Sequence, residues 1–233
     1  MWCSAGAASS AAALLTKADA YAYCDTGSED ADNARFLFDL EGALGAEITR
    51  LRSPSFTDTW DVWERKQYIA GIAGAPCTSA LKRLPRHTFQ LPGDINIFGY
   101  TAEERARARR LAASWEGDSQ LEFPLIDLGI TKAACLALLE DRGLEPPRMY
   151  ALGYDHANCV PCPKATSASY WALVRKTHPA AFERMTELSR RLGVRLARVD
   201  GERVFIDEVP QDQPTTTPIT PECDFMCQLA ANQ

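Results

Sequence analysis

Two groups of residues have the types and spacing of a working site. Ser4-Ala5-Gly6-Ala7-Ala8-Ser9-Ser10 is a run of small residues carrying hydroxyls at Ser4, Ser9 and Ser10. Small side chains let backbone amides close around an anion, and a helix beginning there adds positive potential. Asp25-Thr26-Gly27 supplies a carboxylate, a hydroxyl and a turn glycine at the end of an apolar run. On neighbouring strand ends of a parallel sheet, the two turns would face one ligand crevice. The second group is Cys159-Val160-Pro161-Cys162, flanked by His156 and Lys164. A C-x-x-C clamps a metal or part of an iron–sulfur cluster, or works as a redox dithiol. Two thiols do not complete a four-thiolate site. Cys77, in Pro76-Cys77-Thr78-Ser79-Ala80-Leu81-Lys82, is the third candidate. Zinc, iron and unligated thiols all remain open on spacing alone.

These residues need elements to hold them. Residues 2–4 read as a strand stub and Ala11–Lys17 as a helix. Ala18–Cys24 reads as a strand, and a helix starts near Asp32, with Phe36, Leu37, Leu40 and Leu44 at helical spacing and Gly45 as its stop. Glu47–Leu51 is the next strand. Strand, turn, helix, strand, helix, strand requires crossovers and hence parallel pairing. Residues 60–72 and Ala102–Trp115 read as helical, Ile95–Tyr100 as a strand and Glu122–Leu125 as extended. Thr131 caps a helix through Leu139, and Tyr170–Leu192 holds one or two more. Val194–Ile206 alternates around Asp200-Gly201, a hairpin signal. Pro210–Pro221 is rich in Pro, Thr and Gln and reads as a flexible linker. The expected architecture is an α/β domain over residues 1–192 with a doubly wound, mainly parallel sheet. A hairpin extension at 193–209 and a flexible cysteine-bearing tail at 210–233 follow.

With 233 residues, 46% hydrophobic and 24% charged, the chain can bury a full core. Its formal charge of −6 argues against a generally basic nucleic-acid coat. Ala5–Leu15 is apolar, but no Lys or Arg precedes it and Lys17 and Asp19 follow, so neither a secretory signal nor a membrane span is expected. A reducing cytoplasm then makes metal or thiol chemistry the better reading of eight cysteines. Cys24 and Cys135 read as small buried hydrophobes. Trp60, Trp63 and Trp115 read as core, Arg105–Arg110 as a solvated helix face, and His87, His156 and His178 as too scattered for a catalytic cluster.

In order along the chain, these segments resemble the phosphoadenosine phosphosulfate (PAPS) reductase family. That family lies within the adenine nucleotide alpha-hydrolase-like (PP-loop) superfamily. The resemblance spans about residues 2–165. Ser4-x-Gly6-x-x-Ser9 falls where the PP-loop S-G-G-x-D-S falls, and Asp25-Thr26-Gly27 where the family has D-T-G. Cys77 with Lys82 and Pro85 is similar to the C-C-x-x-x-K-x-x-P segment of cluster-bearing members. Phe123-Pro124-Leu125 followed by Thr131, and Leu152-Gly153-Tyr154 followed by Cys159 and Cys162, are similar to two further segments. Glu222-Cys223-Asp224 resembles part of the E-C-G-x-H tail. The chain departs from the pattern at Ala5, Ala8, Thr78 and Gly99-Tyr100-Thr101, where the family has Gly, Asp, Cys and G-x-R.

The resemblance implies an adenine nucleotide held by Ser4, Gly6, Ala7, Ser9, Ser10, Asp25, Thr26, Gly27 and Lys82. It implies an iron–sulfur cluster, of 4Fe–4S type, on Cys77, Cys159 and Cys162, with Cys223 as nucleophile. The implied activity is reductive sulfur transfer from an adenylylsulfate-type substrate, with a thioredoxin-like reductant. ATP-dependent thiolation of a nucleic acid at an open iron is the alternative, and a non-catalytic nucleotide-binding module is the third. Homodimer formation is left open.

Overall fold

The computed structural model describes residues 1–72, 74–115 and 119–217. β1 (Trp2–Cys3) runs straight into the small-residue loop, and α1 (Ala7–Leu15) begins directly after Gly6. The helix thus starts four residues earlier than its apolar spacing suggests, because alanine needs no side-chain partner to enter a helix. β2 (Tyr21–Cys24), α2 (Asp32–Leu44) and β3 (Ile48–Leu51) complete two crossovers. α3 is Thr59–Lys66, capped by the Asp58 carboxylate, which accepts from the Asp61 amide. It stops at Gln67, which takes a left-handed conformation, instead of running on to residue 72.

Next comes a helical run without an obvious sequence signal. α4 (Pro76–Thr78) passes into a wider π-helical stretch (Ser79–Arg83) and then α5 (Leu84–Phe89). β4 (Ile95–Ile97) follows, then a 3₁₀ turn (Ala102–Glu104) leading into α6 (Arg105–Ala113). β5 is Gln120–Glu122, and Pro124 then opens the short α7 (Pro124–Asp127), where an extended segment was expected. α8 (Lys132–Asp141) is capped by Thr131 as its sequence indicates. α9 (Arg148–Ala151), α10 (Ala168–Thr177) and α11 (Pro179–Arg191) precede the antiparallel pair β6 (Ala197–Val199) and β7 (Glu202–Val204), which turns at Asp200-Gly201.

β1, β2 and β3 pair in parallel in the order β1-β2-β3, and β4 pairs in parallel with β5. A parallel bridge between Trp2 and Phe98 sets β1 beside the end of β4. The molecule is therefore a mixed α/β protein with small parallel sheets. No helix among the described residues is long and apolar enough to cross a membrane.

Two apolar cores flank this framework. In one, Ala7, Ala11 and Ala12 of α1 let α8 approach closely, and Phe36, Leu40, Ile48 and Leu139 close around them. In the other, Trp63, Trp171, Met185, Leu196, Ile206 and Val209 pack together, so the hairpin shares its core with α10 and α11. Residues 210–217 contain no helix or strand, but they are tied down. Arg175 donates to the carbonyls of Val209 and Pro210, and the Thr216 hydroxyl donates to the Gly153 carbonyl at 2.5 Å.

Candidate functional site

A cleft of about 940 Å³ opens at the carboxyl ends of β1, β2 and β4. Ser4, Gly6, Ala8 and Ser9 line it, as the small-residue loop predicts. The loop is held from within. The Ser9 hydroxyl accepts from the Ser4 amide at 3.0 Å, meets the Ser4 hydroxyl at 3.0 Å and donates to the Gly6 carbonyl at 3.0 Å. The Ser10 hydroxyl donates to the same carbonyl and is fully buried, so Ser10 braces the turn rather than facing the cleft. Ala7 is also buried, and its amide donates to the Tyr150 hydroxyl at 2.9 Å. The next two amides of the first turn, Ala8 and Ser9, have no acceptor among the described residues. Ala5 sits at φ 53°, a left-handed conformation that strains any residue with a Cβ. Gly99 of the β4 end crosses so close that a Cβ there would lie 2.4 Å from the Ser9 Cα and 2.6 Å from the Ala8 carbonyl.

The Asp25-Thr26-Gly27 turn is next to the cleft but does not line it, which corrects the expectation of a shared crevice wall. Asp25 accepts from the Arg52 guanidinium at 2.6 and 2.8 Å and from the Gly27 amide at 2.9 Å. Gly27 approaches the Thr57 carbonyl so nearly that a Cβ would sit 2.3 Å from it. Thr26 is buried, and its hydroxyl lies 3.0 Å from the Cys159 sulfur. The turn therefore acts through Thr26, by fixing the C-x-x-C loop.

Cys159 is the hub of this corner. Its thiol points at the Glu29 carboxylate, 3.9 Å away, and Lys82 Nζ pairs with the same carboxylate oxygen at 3.3 Å. Burial pushes the Glu29 carboxyl up, against the pull of Lys82, and raises Cys159 to about 12. Burial alone would lower Lys82, but Glu29 and then Cys159 outweigh it and hold the ammonium above its usual range. The other Glu29 oxygen is buried and has no partner among the described residues. Cys24, expected to be a simple core residue, lines the cleft beside Lys82, and its thiol donates to the Lys82 carbonyl at 3.6 Å. Cys3 and Cys135 are buried in the first core.

Cys162 acts electrostatically on both Cys77 and Cys159, so the three thiols share one neighbourhood. Among the described residues, however, no three His, Cys, Asp or Glu side chains converge to hold a metal ion. A single zinc draws its sulfurs to about 2.3 Å each, and these residues do not form such a site. A cluster binds each thiolate to a different iron, which allows a wider spread. Cys223 and Cys227 lie outside the described residues.

The cleft also holds residues to which the sequence assigned no binding role. Arg83, Arg86 and His87 come from the helical run, Lys132 from the start of α8, and Lys164 from the loop after the C-x-x-C. Of the arginines on α6, Arg107 lines the cleft, where it pairs with Glu104 and covers the Tyr100 ring at 4.6 Å. Arg105 and Arg109 line a separate small pocket. Trp60 and Trp63 are core residues, but Trp115 is in the cleft wall, edge-on to Phe98. His156 lines the cleft with Nδ1 3.3 Å from Lys132 Nζ, and burial, then that ammonium, lowers its pKa. Lysine and arginine are hard to place from sequence, because only the fold decides which of them turn inward. No protein-family model matches the chain and no curated protein matches it.

Proposed function

We propose that this chain is an enzyme of sulfur metabolism that binds an adenine nucleotide in the cleft, within a doubly wound α/β domain of PAPS reductase type. One observation carries the reading. The loop whose amides at Ala8 and Ser9 are unspent opens, at the start of α1, into a cleft that also presents Lys82, Lys132 and Lys164. Two free amides at a helix N-terminus and several cations make an anion site, and the cleft beyond it has room for a nucleoside.

In this reading Ser4, Gly6 and Ser9 bind the phosphoryl group, while Ala7 and Ser10 hold the turn in shape. Lys82 adds positive charge, and Asp25, Thr26 and Gly27 position the neighbouring loop. Cys223 is the proposed nucleophile. Its thiolate would attack the sulfonyl sulfur of an adenylylsulfate-type substrate, forming a sulfur–sulfur bond as the sulfur–oxygen bond to AMP breaks. A thioredoxin-like dithiol would then reduce the S-sulfonate, releasing sulfite and becoming a disulfide itself. Thr216 lies at the cleft rim, and the seven residues from there to Cys223 span at most about 25 Å, enough to reach across the cleft. The same reading assigns an iron–sulfur cluster to Cys77, Cys159 and Cys162, with a fourth ligand from elsewhere. Such a cluster would supply electron-transfer capacity when bound.

Calorimetry with AMP, ATP and adenylylsulfate tests the binding claim. Ser9→Ala removes the hydroxyl that ties the Ser4 amide to the Gly6 carbonyl and, by loosening the loop, is expected to weaken binding by about 1–3 kcal/mol. Unchanged affinity would reduce the loop to an ordinary helix start. Anaerobic incubation separates the chemistries: sulfite release supports reductive transfer, pyrophosphate release supports nucleic-acid thiolation, and neither supports a binding module. Iron and sulfide counts on anaerobic protein, for wild type and for each of Cys77→Ser, Cys159→Ser and Cys162→Ser, test the cluster. Stoichiometric zinc without iron would defeat it.

A further inference from the structure

His178 is the single residue between α10 and α11. Its backbone is fixed there: the amide donates to the Val174 carbonyl at 2.8 Å, and the carbonyl accepts from the Phe182 amide at 3.0 Å. Its ring meets three other side chains. Nδ1 lies 2.9 Å from the Thr177 hydroxyl and 3.1 Å from the Tyr154 hydroxyl, and Nε2 lies 3.7 Å from the Asp30 carboxylate. The two hydroxyl oxygens are 2.7 Å apart, and the Thr177 oxygen is 2.8 Å from the Leu173 carbonyl, which can only accept. Four short contacts thus share two hydroxyl protons. A proton on Nδ1 serves them all: Thr177 donates to Leu173, Tyr154 donates to Thr177, and Nδ1 donates to both hydroxyl oxygens. The Nε2 lone pair then faces the Asp30 carboxylate, acceptor against acceptor. A second proton, on Nε2, turns that contact into an ion pair.

Asp30 and Tyr154 are each one contact from the C-x-x-C loop. Asp30 belongs to the segment entering α2, where the Ser28 carbonyl accepts from the Val160 amide at 3.1 Å and the Asn33 side-chain amide donates to the Ala157 carbonyl at 2.9 Å. Tyr154 is edge-on to Tyr170 at 5.9 Å, and the Tyr170 hydroxyl accepts from the Cys162 amide at 2.6 Å. The charged and titratable groups acting on the His178 ring are Asp30, Arg148 and Tyr154. Against burial, Arg148 holds Asp30 ionised, so a carboxylate awaits the second proton. With 22% of the His178 side chain exposed, water can deliver it. Burial lowers the His178 pKa and the pull of Asp30 does not restore it, so the second proton arrives on the acid side of the usual histidine range.

We propose that His178 is a proton-operated latch. Neutral, it carries its proton on Nδ1; doubly protonated, it closes onto Asp30 and braces the C-x-x-C loop from behind as pH falls. The latch stands apart from the nucleotide and cluster readings.

Nitrogen-15 magnetic resonance of the histidine rings in the full chain reads tautomer and titration together. Neutral His178 is expected to carry its proton on Nδ1, the less common form in water. Hydrogen–deuterium exchange of residues 157–162, corrected for the intrinsic pH dependence of exchange, should slow several-fold as the ring gains its second proton. The slowing should vanish in His178→Gln and persist in His156→Gln, which removes the histidine nearest that loop in sequence. Asp30→Asn should weaken binding of the second proton about tenfold or more. Circular dichroism checks that each variant is folded, and the wild-type tautomer keeps the test alive should one of them fail to fold. Neutral His178 with its proton on Nε2, a ring that never gains a second proton in the folded chain, or exchange that does not slow with it overturns the latch. So does slowing that survives in His178→Gln, or proton affinity unchanged in Asp30→Asn.

Discussion

Asp30 carries its charge where water hardly reaches, with 2% of its side chain exposed. Burial alone would raise its pKa, but the Arg148 guanidinium, bonded to both carboxylate oxygens at 2.9 Å, and the Asp32 amide outweigh it and hold the pKa below its usual value. A carboxyl whose folded pKa is depressed stabilises the fold above its unfolded pKa, ~3.9, and loses that contribution as pH falls through the folded value. Asp30→Asn should therefore destabilise the protein by about 1–3 kcal/mol at pH 7, and the gap from wild type should close as pH drops below the carboxylate range. Urea titrations at pH 7 and pH 3 measure both; a gap independent of pH would mean that the carboxylate's charge is not what stabilises. Gly99 makes a second residue-level case. Its Cβ would collide with backbone atoms of Ala8 and Ser9, which cannot swing aside. Gly99→Ala should cost about 1–3 kcal/mol by overpacking and distort the Ser4–Ser10 loop. Gly42, on α2 with open space around it, is the control. Gly42→Ala should be stabilising by about 0.5–1 kcal/mol, and thermal melts of the two variants should move in opposite directions.

At the scale of elements, the run from Pro76 to Phe89 decides which cations face the cleft. Its π-helical stretch carries Lys82 and Arg83 at its last positions, and α5 carries Arg86 and His87. Such wide turns tend to occur at functional sites. Lys82 is anchored by Glu29, and the pair is coupled. Lys82→Met leaves a buried carboxylate unpaired and should destabilise by about 3–5 kcal/mol. Adding Glu29→Gln should recover much of that loss, because the double variant buries no lone charge. A double-mutant cycle by urea denaturation reads the coupling; additive losses would show that the two side chains do not depend on each other. The sequence does not reveal this element, because Pro76 and Pro85 interrupt it and Thr78 and Ser79 weaken helical propensity. Its helicity comes from tertiary packing of Ala80 and Leu81 against Val62. The small-residue loop before α1 was legible for the opposite reason, because small residues and a hydroxyl pattern act locally, as does the Asp200-Gly201 turn, although the helix itself begins at Ala7 and not at Ala11. Spacing could nominate Cys77, Cys159 and Cys162 but not where they sit relative to one another, since a long chain separates the first from the others. The role of Thr26 against Cys159 was out of reach as well, because that contact joins residues 133 positions apart.

For the whole molecule, the open question is whether two cores behave as one body. Met149 and Tyr150 are consecutive on α9, yet Met149 packs into the second core and Tyr150 into the first. Tyr150 also holds the Ala7 amide at the start of α1, so α9 links both cores to the loop of the proposed site. The cleft is bounded by residues from both sides, with Ser4 and Tyr150 from one and Met149, Tyr154 and Tyr170 from the other. This arrangement predicts a single cooperative transition. Tryptophan fluorescence of a variant with Trp2 and Trp115 replaced by Phe reports the second core, through Trp60, Trp63 and Trp171. Far-ultraviolet circular dichroism reports helices of both. The two denaturation curves should coincide, as two-state behaviour demands. Met149→Ala should cost about 2–5 kcal/mol and shift both curves equally, although its side chain touches only one core. A nucleotide that binds the cleft at 100 times its Kd should stabilise the protein by about 2.7 kcal/mol, again moving both probes together. Curves that separate in Met149→Ala, with fluorescence lost before helicity, would show that the second core unfolds alone and that α9 does not transmit its stability to the Ser4–Ser10 loop.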